Sequence, residues 1–295
     1  MRSPSERLIQ TLTGSGLCSR AEIDQCGSLV RTLCHDLPDF DSVWLDALVQ
    51  QNSLTAWQAE QLQAPDGARI VVGRFHRSKT LGLNTWLAAE SSSSRHFVLR
   101  KVPSVGFGRL ADPKQRLSEL FASVSKFRGS LPASLVIPLE CLITEPLPAV
   151  KPSSSVEPAD LGTREECATD DFVVSDYVAG WSMDELLVRG GRLPFDAVAE
   201  IGRELLAGLA WLESCGLLHG DITLRNVRID GRGQVHLVDP FVRRLAQPHP
   251  AITDRLTLRD IEGVAPELVG SGRQPDTRSE LYALGCVLWQ LLTSR

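Results

Sequence analysis

The stretch "LLHGDITLRN", Leu217 to Asn226, sets an Asp two residues after a His and an Asn five residues after that Asp. Further on, the apolar run "QVHLVD" ends in Asp239. Such a set offers two kinds of chemistry. A carboxylate within hydrogen-bond reach of a hydroxyl can take its proton, and carboxylate and amide oxygens are the hard donors that magnesium needs. Each residue also has an ordinary reading: Asp221 as a turn residue, Asn226 as a cap, Asp239 as the carboxylate at a strand end.

The elements around these residues must position them. "NVRID" and "QVHLVD" read as a short hairpin about Gly231–Gly233. Before it, "PFDAVAEIGRELLAGLAWLESCG" places Phe195, Val198, Ile201, Leu205, Leu209 and Leu212 on one helical face. After it, "SELYALGCVLWQLL" is apolar nearly all round, which predicts a helix buried on every side. Upstream, from Ile70, "RIVVGRF", "NTWLAAE" and "HFVLRKV" are short strand-like runs broken by Gly, Ser or Asn. "RLSELFASVSKF" reads as a helix, and "SLVIPLECLI" and "DFVVSDYV" as further strands. Between those two, a Pro-, Ser- and acid-rich stretch at about 146–169 is expected to be a disordered insertion.

Residues 1–66 form a separate helical region that repeats itself. "ERLIQTLTGSGLCSRAEID" and "WLDALVQQNSLTAWQAEQL" each give a helix, a break and a second helix, with Leu17 matched to Leu54 and Cys18 to Thr55. Ser19 and Thr55 are the N-cap candidates. Trp44 and Trp57 are assigned to the core of two packed hairpins. "APDGAR", Ala64–Arg69, is a turn-rich boundary.

The chain has 295 residues, 43% hydrophobic and 23% charged, so it can bury a core. Its net charge of −5 argues against a nucleic-acid surface. Seven cysteines with no C-x-x-C pair suggest neither a zinc ribbon nor a disulfide framework, and fit buried thiols in a reducing compartment. No window approaches the roughly 20 apolar residues of a membrane span. The expectation is a cytoplasmic protein.

Taken in order, a β-rich lobe, an extended hinge, a long helix, "HGDITLRN", a hairpin, "VDPF", "VAPE" and a buried helix resemble the eukaryotic-type Ser/Thr protein kinase domain. The resemblance spans about Ile70 to Arg295. The leader ending in "LTAWQAEQL" is similar to that of many planctomycete Ser/Thr kinases. The implied fold is α+β: a bilobal kinase-like fold with an N-lobe at 70–178 and a C-lobe at 179–295. The C-lobe lacks its last helices and leaves an apolar face exposed, and a small all-α domain at 1–66 precedes both lobes. By the same resemblance Asp221 is the catalytic base, Asn226 and Asp239 hold Mg²⁺, and Ser175 is the gatekeeper. Asp176 and Val178 then face the adenine of ATP with their backbone groups. Family spacing points to Arg100 as the phosphate-bridging cation, whereas the matching chemistry sits at Lys101. Neighbours on a strand face opposite sides, and Arg100 shares a face with Val98. Glu119 is the helix carboxylate that would pair with it.

Other positions depart from the family. Ser78, Thr80 and Leu83 stand at the glycines of the phosphate-covering loop, and Gly82 is out of place. Gly220 replaces the Arg that receives an activation-loop phosphate. Thr223 replaces the stabilising Lys, and its Thr partner falls on Asp260. "DPF", Asp239-Pro240-Phe241, replaces D-F-G, and Pro240 removes a backbone donor. Glu280 replaces a bracing Asp, and the extra methylene is expected to weaken that brace. Three readings follow: a nucleotide-binding pseudokinase or scaffold, which is favoured, an active Ser/Thr kinase, or a small-molecule phosphotransferase, for which "HGD" speaks but "VAPE" does not. A protein partner or substrate is implied, with no nucleic acid and no membrane.

Overall fold

The computed structural model describes residues 3–34, 40–64, 69–82, 84–90, 93, 95–102, 119, 121–122, 124–126, 128–143, 171–241, 263–268 and 273–294. The insertion at about 146–169, Leu83 and Asp260 lie outside them. The chain divides into two compact units, Met1–Arg100 and Lys101–Arg295.

Among the described residues of the first unit five helices precede four strands: α1 (Glu6–Gly14), α2 (Arg20–Gln25), α3 (Gly27–Cys34), α4 (Asp41–Gln50) and α5 (Ala56–Gln63). The repeat is present, but its register differs by one residue from the sequence reading. Gly16 and Asn52 both take left-handed backbone at φ 67° and 60°. Just beyond them, Cys18 N–H bonds to Leu12 O as Leu54 N–H bonds to Leu48 O. Cys18 therefore matches Leu54, both buried, and Ser19 matches Thr55. The caps behave alike: Ser19 with Glu22 and Thr55 with Gln58 each complete a capping box. The third helix, α3, lies between the repeats and buries Val30 and Cys34. Cys18, Cys26, Cys34 and Trp44 are buried in one cluster with Leu12, Ile23, Leu45 and Leu48. Burial, with Glu22 and Cys26 nearby, pushes the Cys18 thiol up to about 11.

The strands β1 (Val71–Val72), β2 (Phe75–Gly82), β3 (Thr85–Glu90) and β4 (His96–Val102) follow. They pair as an antiparallel meander. The helices dock on β2. Thr55 Oγ1 donates to Ser78 O at 2.7 Å and Gln58 Nε2 to Arg77 O at 2.9 Å. The Arg77 side chain is 3% exposed, with its guanidinium 4.5 Å from the Trp86 ring and 5.8 Å from that of Trp57. Trp57 is half-buried in this contact, whereas Trp44 is core.

In the second unit β5 (Glu140–Ile143) pairs antiparallel with β6 (Asp171–Asp176). A three-stranded sheet joins β7 (Gly180–Ser182), β8 (Val227–Asp230) and β9 (Val235–Leu237). The helices of this unit include α6 (Met183–Gly190), α7 (Phe195–Ser214) and α8 (Thr277–Thr293). Helix α7 buries Val198, Ile201, Leu205, Leu209 and Leu212 as the periodicity predicts. Phe195 does not follow: it is 72% exposed, because it occupies the first helical position, beyond the stretch that the core covers. Helix α8 is not buried all round either. Ala283, Leu284, Val287 and Leu291 face the core, while Leu281, Tyr282 and Trp289 are exposed. A Cβ on Gly202 would lie 3.2 Å from Leu288 Cδ1, which shows how closely α7 and α8 approach.

The helix–strand junction of the first unit is testable. Arg77→Met keeps the aliphatic stem but removes the cation from both rings, and should destabilise that unit by about 1–3 kcal/mol in urea unfolding. The effect should be less than additive with Trp57→Leu. Full additivity would show that the two side chains do not act together.

Candidate active site

The loop from Leu217 to Asn226 runs between α7 and β8 and is built around His219, which has no solvent exposure. His219 Nε2 lies 3.0 Å from Val238 O, and Nδ1 accepts the Asp221 amide at 3.2 Å. Both contacts are satisfied by a neutral ring protonated on Nε2. Burial lowers the histidine's pKa; Glu280, Asp221 and the Val238 bond oppose that shift. The backbone of His219 is also engaged, since its carbonyl accepts Phe241 N–H at 2.7 Å.

Glu280, 6% exposed at the start of α8, accepts His219 N–H at 3.0 Å with Oε2 and Gly220 N–H at 2.6 Å with Oε1. The expected weak brace is thus corrected. The longer side chain reaches the loop and spends both oxygens on it. Gly220 itself sits at φ 83°, a conformation that side chains resist.

Asp221 and Asn226 are joined directly. Asn226 Nδ2 donates to Asp221 Oδ2 at 2.9 Å and to Asp221 O at 2.8 Å. That contact orients the amide and leaves Oδ1 as its acceptor atom. Asn226 O accepts Val238 N–H at 2.8 Å, and Val227 pairs with Leu237, so the ladder carries Asp239 alongside Asn226. Asp239 is 7% exposed with φ 61°, and Phe241 has φ 71°. Left-handed backbone is unusual for a bulky residue, and two such residues flank Pro240. Phe241 is 2% exposed in the core of the second unit.

The donor set suits magnesium. Asn226 and Asp239 offer hard oxygens, and magnesium takes few protein ligands because phosphates and water complete its shell. Among the described residues no group of three His, Cys, Asp or Glu forms a self-sufficient metal cage.

The remaining residues named from sequence fall on several elements. Ser175 is buried near the end of β6, Asp176 is its last residue, and Val178 lies in the connection to β7. Arg100 pairs with Thr85 and Val98 with Leu87, so Arg100 shares the Leu87–Val98 face; Lys101 falls on the alternate face with Phe97 and Leu99. Arg100 ends the first unit, and Lys101 begins the second. Glu119 is exposed in the second unit.

The stretch read as a phosphate loop is strand instead: β2 continues to Gly82, which pairs with Thr85. Ser78 is held by Thr55 through its carbonyl, and its hydroxyl donates to Leu87 O. A Cβ on Gly82 would meet nothing within 4 Å, so close backbone approach does not require that glycine. An open groove of about 650 Å³ is lined by residues of Leu131–Val136, by Asp176–Ala179 and by the β8–β9 turn; Asp221 and Asp239 are not among its lining residues.

Sequence reasoning missed Arg228. It lies in the middle of β8, where a strand position reads as ordinary, and only its hydrogen bonds to the Val178 and Gly180 carbonyls draw attention to it.

Comparison with known proteins follows the same lines. The protein kinase domain model matches residues 163–295. The serine/threonine-protein kinase PknL of Mycobacterium tuberculosis is 32% identical over 122 residues, covering 41% of this chain and 30% of that protein. A "Probable serine/threonine-protein kinase" of Streptomyces coelicolor is 34% identical over 127 residues, 42% of this chain and 19% of its own length. The serine/threonine-protein kinase PknA of Corynebacterium glutamicum is 28% identical over 124 residues, 42% of this chain and 26% of its own. The matched region thus spans less than a third of each of these relatives. With the loop, the hairpin and the buried brace in the family's order, residues 163–295 belong to the protein kinase domain family, of the eukaryotic-type serine/threonine kind.

Proposed function

We propose that the chain carries a kinase-like domain that binds ATP with Mg²⁺ and transfers phosphate weakly or not at all, acting mainly as a binding or scaffold module. In this reading a helical domain at 1–66 precedes lobes at 70–178 and 179–295, and the partner is a protein. The observation that carries nucleotide binding is the Asn226–Asp221 hydrogen bond beside the buried Asp239. Asp221 would accept the acceptor hydroxyl's proton, while Asn226 and Asp239 would hold the cation. When bound, magnesium would neutralise charge on the transferring phosphoryl group.

Weak transfer is supported by what β2 does. Its residues Ser78 and Thr80 lie in a paired strand, and the docked helix α5 engages the Ser78 carbonyl. A phosphate clamp needs loose, glycine-rich amides instead. Thr223 offers no cation, and removing one electrostatic stabiliser typically costs ~10²–10³-fold in rate.

One observation favours the second reading, an active Ser/Thr kinase. The bidentate hold of Glu280 on the loop shows that Asp221 is not left on a slack segment. Transfer of labelled γ-phosphate to a general protein acceptor separates the two readings. The expected rate is no higher than that of the Asp221→Asn variant, and a clear excess would establish the active enzyme.

Nucleotide binding itself is read by thermal unfolding. At tenfold excess over Kd, Mg²⁺-ATP should stabilise the protein by about 1.4 kcal/mol, and Asp239→Asn should remove the metal-dependent part. No shift in a folded sample would remove ATP and magnesium from the account.

The brace has its own test. Glu280→Ala strands two loop amides away from water and should cost about 2–4 kcal/mol in unfolding free energy. Glu280→Asp should recover only part of this, because the shorter side chain must draw α8 closer to the loop.

A further inference from the structure

Arg228 lies on β8 two residues after Asn226, opposite Ser182 in the β7–β8 ladder. Its side chain runs along the connection that leads into β7. Nε donates to Val178 O at 3.2 Å and Nη2 to Gly180 O at 2.8 Å. The guanidinium carbon is 5.8 Å from the centre of the Tyr177 ring. Gly180 keeps this geometry tight. A Cβ there would fall 2.0 Å from Ile229 O, so the connection rests directly on the β8 backbone.

The surroundings favour a cation at this point. Glu185 completes the cap on Ser182, accepting its amide and hydroxyl at 2.8 Å. Its carboxyl is held below the usual range mainly by the Ser182 amide, with Arg228 and Arg189 as smaller contributors. Arg189 is itself stacked 3.9 Å over Trp181. Arg225 pairs with Asp184 at 3.7 Å near the solvent, and Asp230, Arg232 and His236 line a groove together with Asp176–Ala179. Arg228 is a cation whose donors reach two carbonyls of this segment, those of Val178 and Gly180.

Under the reading above, the backbone from Asp176 to Val178 is the edge that meets a purine. An exocyclic amine on the base needs a carbonyl acceptor there. A guanidinium already donating to the Val178 carbonyl, the end of that edge, is a stronger competitor for it than water, because charge-assisted hydrogen bonds are roughly twice as strong as neutral ones. We infer that Arg228 occupies the acceptor edge of the nucleotide subsite from within the protein, so that a purine base binds only by displacing it. Arg228 is then an autoinhibitory residue that holds nucleotide affinity low. The inference rests on the assignment of residues 176–178 as the base-binding edge.

The test compares the full chain with Arg228→Leu and Arg228→Met, each alone and combined with Asp239→Asn. Calorimetric titration with ATP and ADP, in Mg²⁺, gives the affinities, and unfolding without ligand verifies that each variant is folded. Two replacements are used because one of them alone could disturb β8. Both single variants should bind ATP and ADP at least tenfold more tightly than wild type, equivalent to about 1.4 kcal/mol. A structural role alone would loosen the hinge and weaken binding. Affinity in folded variants that is unchanged or lower, while wild type still binds in an Asp239-dependent way, overturns the role of Arg228 and leaves the nucleotide site standing. Absence of binding in wild type and in every folded variant overturns both.

Discussion

Fully buried and neutral, His219 joins three parts of the second unit through its own hydrogen bonds. Its amide goes to Glu280 on α8, its carbonyl to the amide of Phe241, its Nε2 to Val238 just beyond β9, and its Nδ1 to the amide of Asp221. A buried imidazole is costly unless every polar atom is satisfied, and here each has a partner. The position of Asp221 relative to Asp239 follows from this one residue, because the loop and the strand end are held to the same ring. Charging that ring would disrupt the arrangement, and burial works against charging it.

Around this node the backbone is strained where chemistry is expected. Gly220, Asp239 and Phe241 all have positive φ, yet only one of them is a glycine. For Asp239 and Phe241 the cost is about 1–3 kcal/mol each. Burial of Phe241 in the core and its amide bond to His219 hold the strained turn in place. Pro240 between them restricts φ further, so the turn has little freedom to rearrange.

The first unit is organised by a different interaction, the burial of Arg77 against two indole rings together with the Thr55 and Gln58 contacts to β2. The same threonine that caps α5 therefore anchors the helices to the sheet. A short helical leader of this size gains stability by sharing a unit with the strands, since small domains bury little of their surface alone.

Much of this was legible in the sequence where the cause is local. The N-caps at Ser19 and Thr55 and, Phe195 apart, the buried stripe of α7 depend on residues a few positions apart and appear as read, and the five-residue spacing of Asp221 and Asn226 is short enough for the two side chains to hydrogen-bond. The register of the helical repeat was misread by one residue, because side-chain similarity was used where backbone turn geometry decides.

What the sequence by itself determined is the order of elements, the family and the identity of the polar residues in the loop. Tertiary structure alone decided that Glu280 reaches two amides, that Phe195 and one face of α8 remain exposed, and that Arg228 turns toward the hinge carbonyls. The physical reason is the range of the interactions. Helix periodicity and caps are written within one or two turns of chain, whereas a brace across 61 positions or an arginine reaching back 50 depends on how distant segments pack.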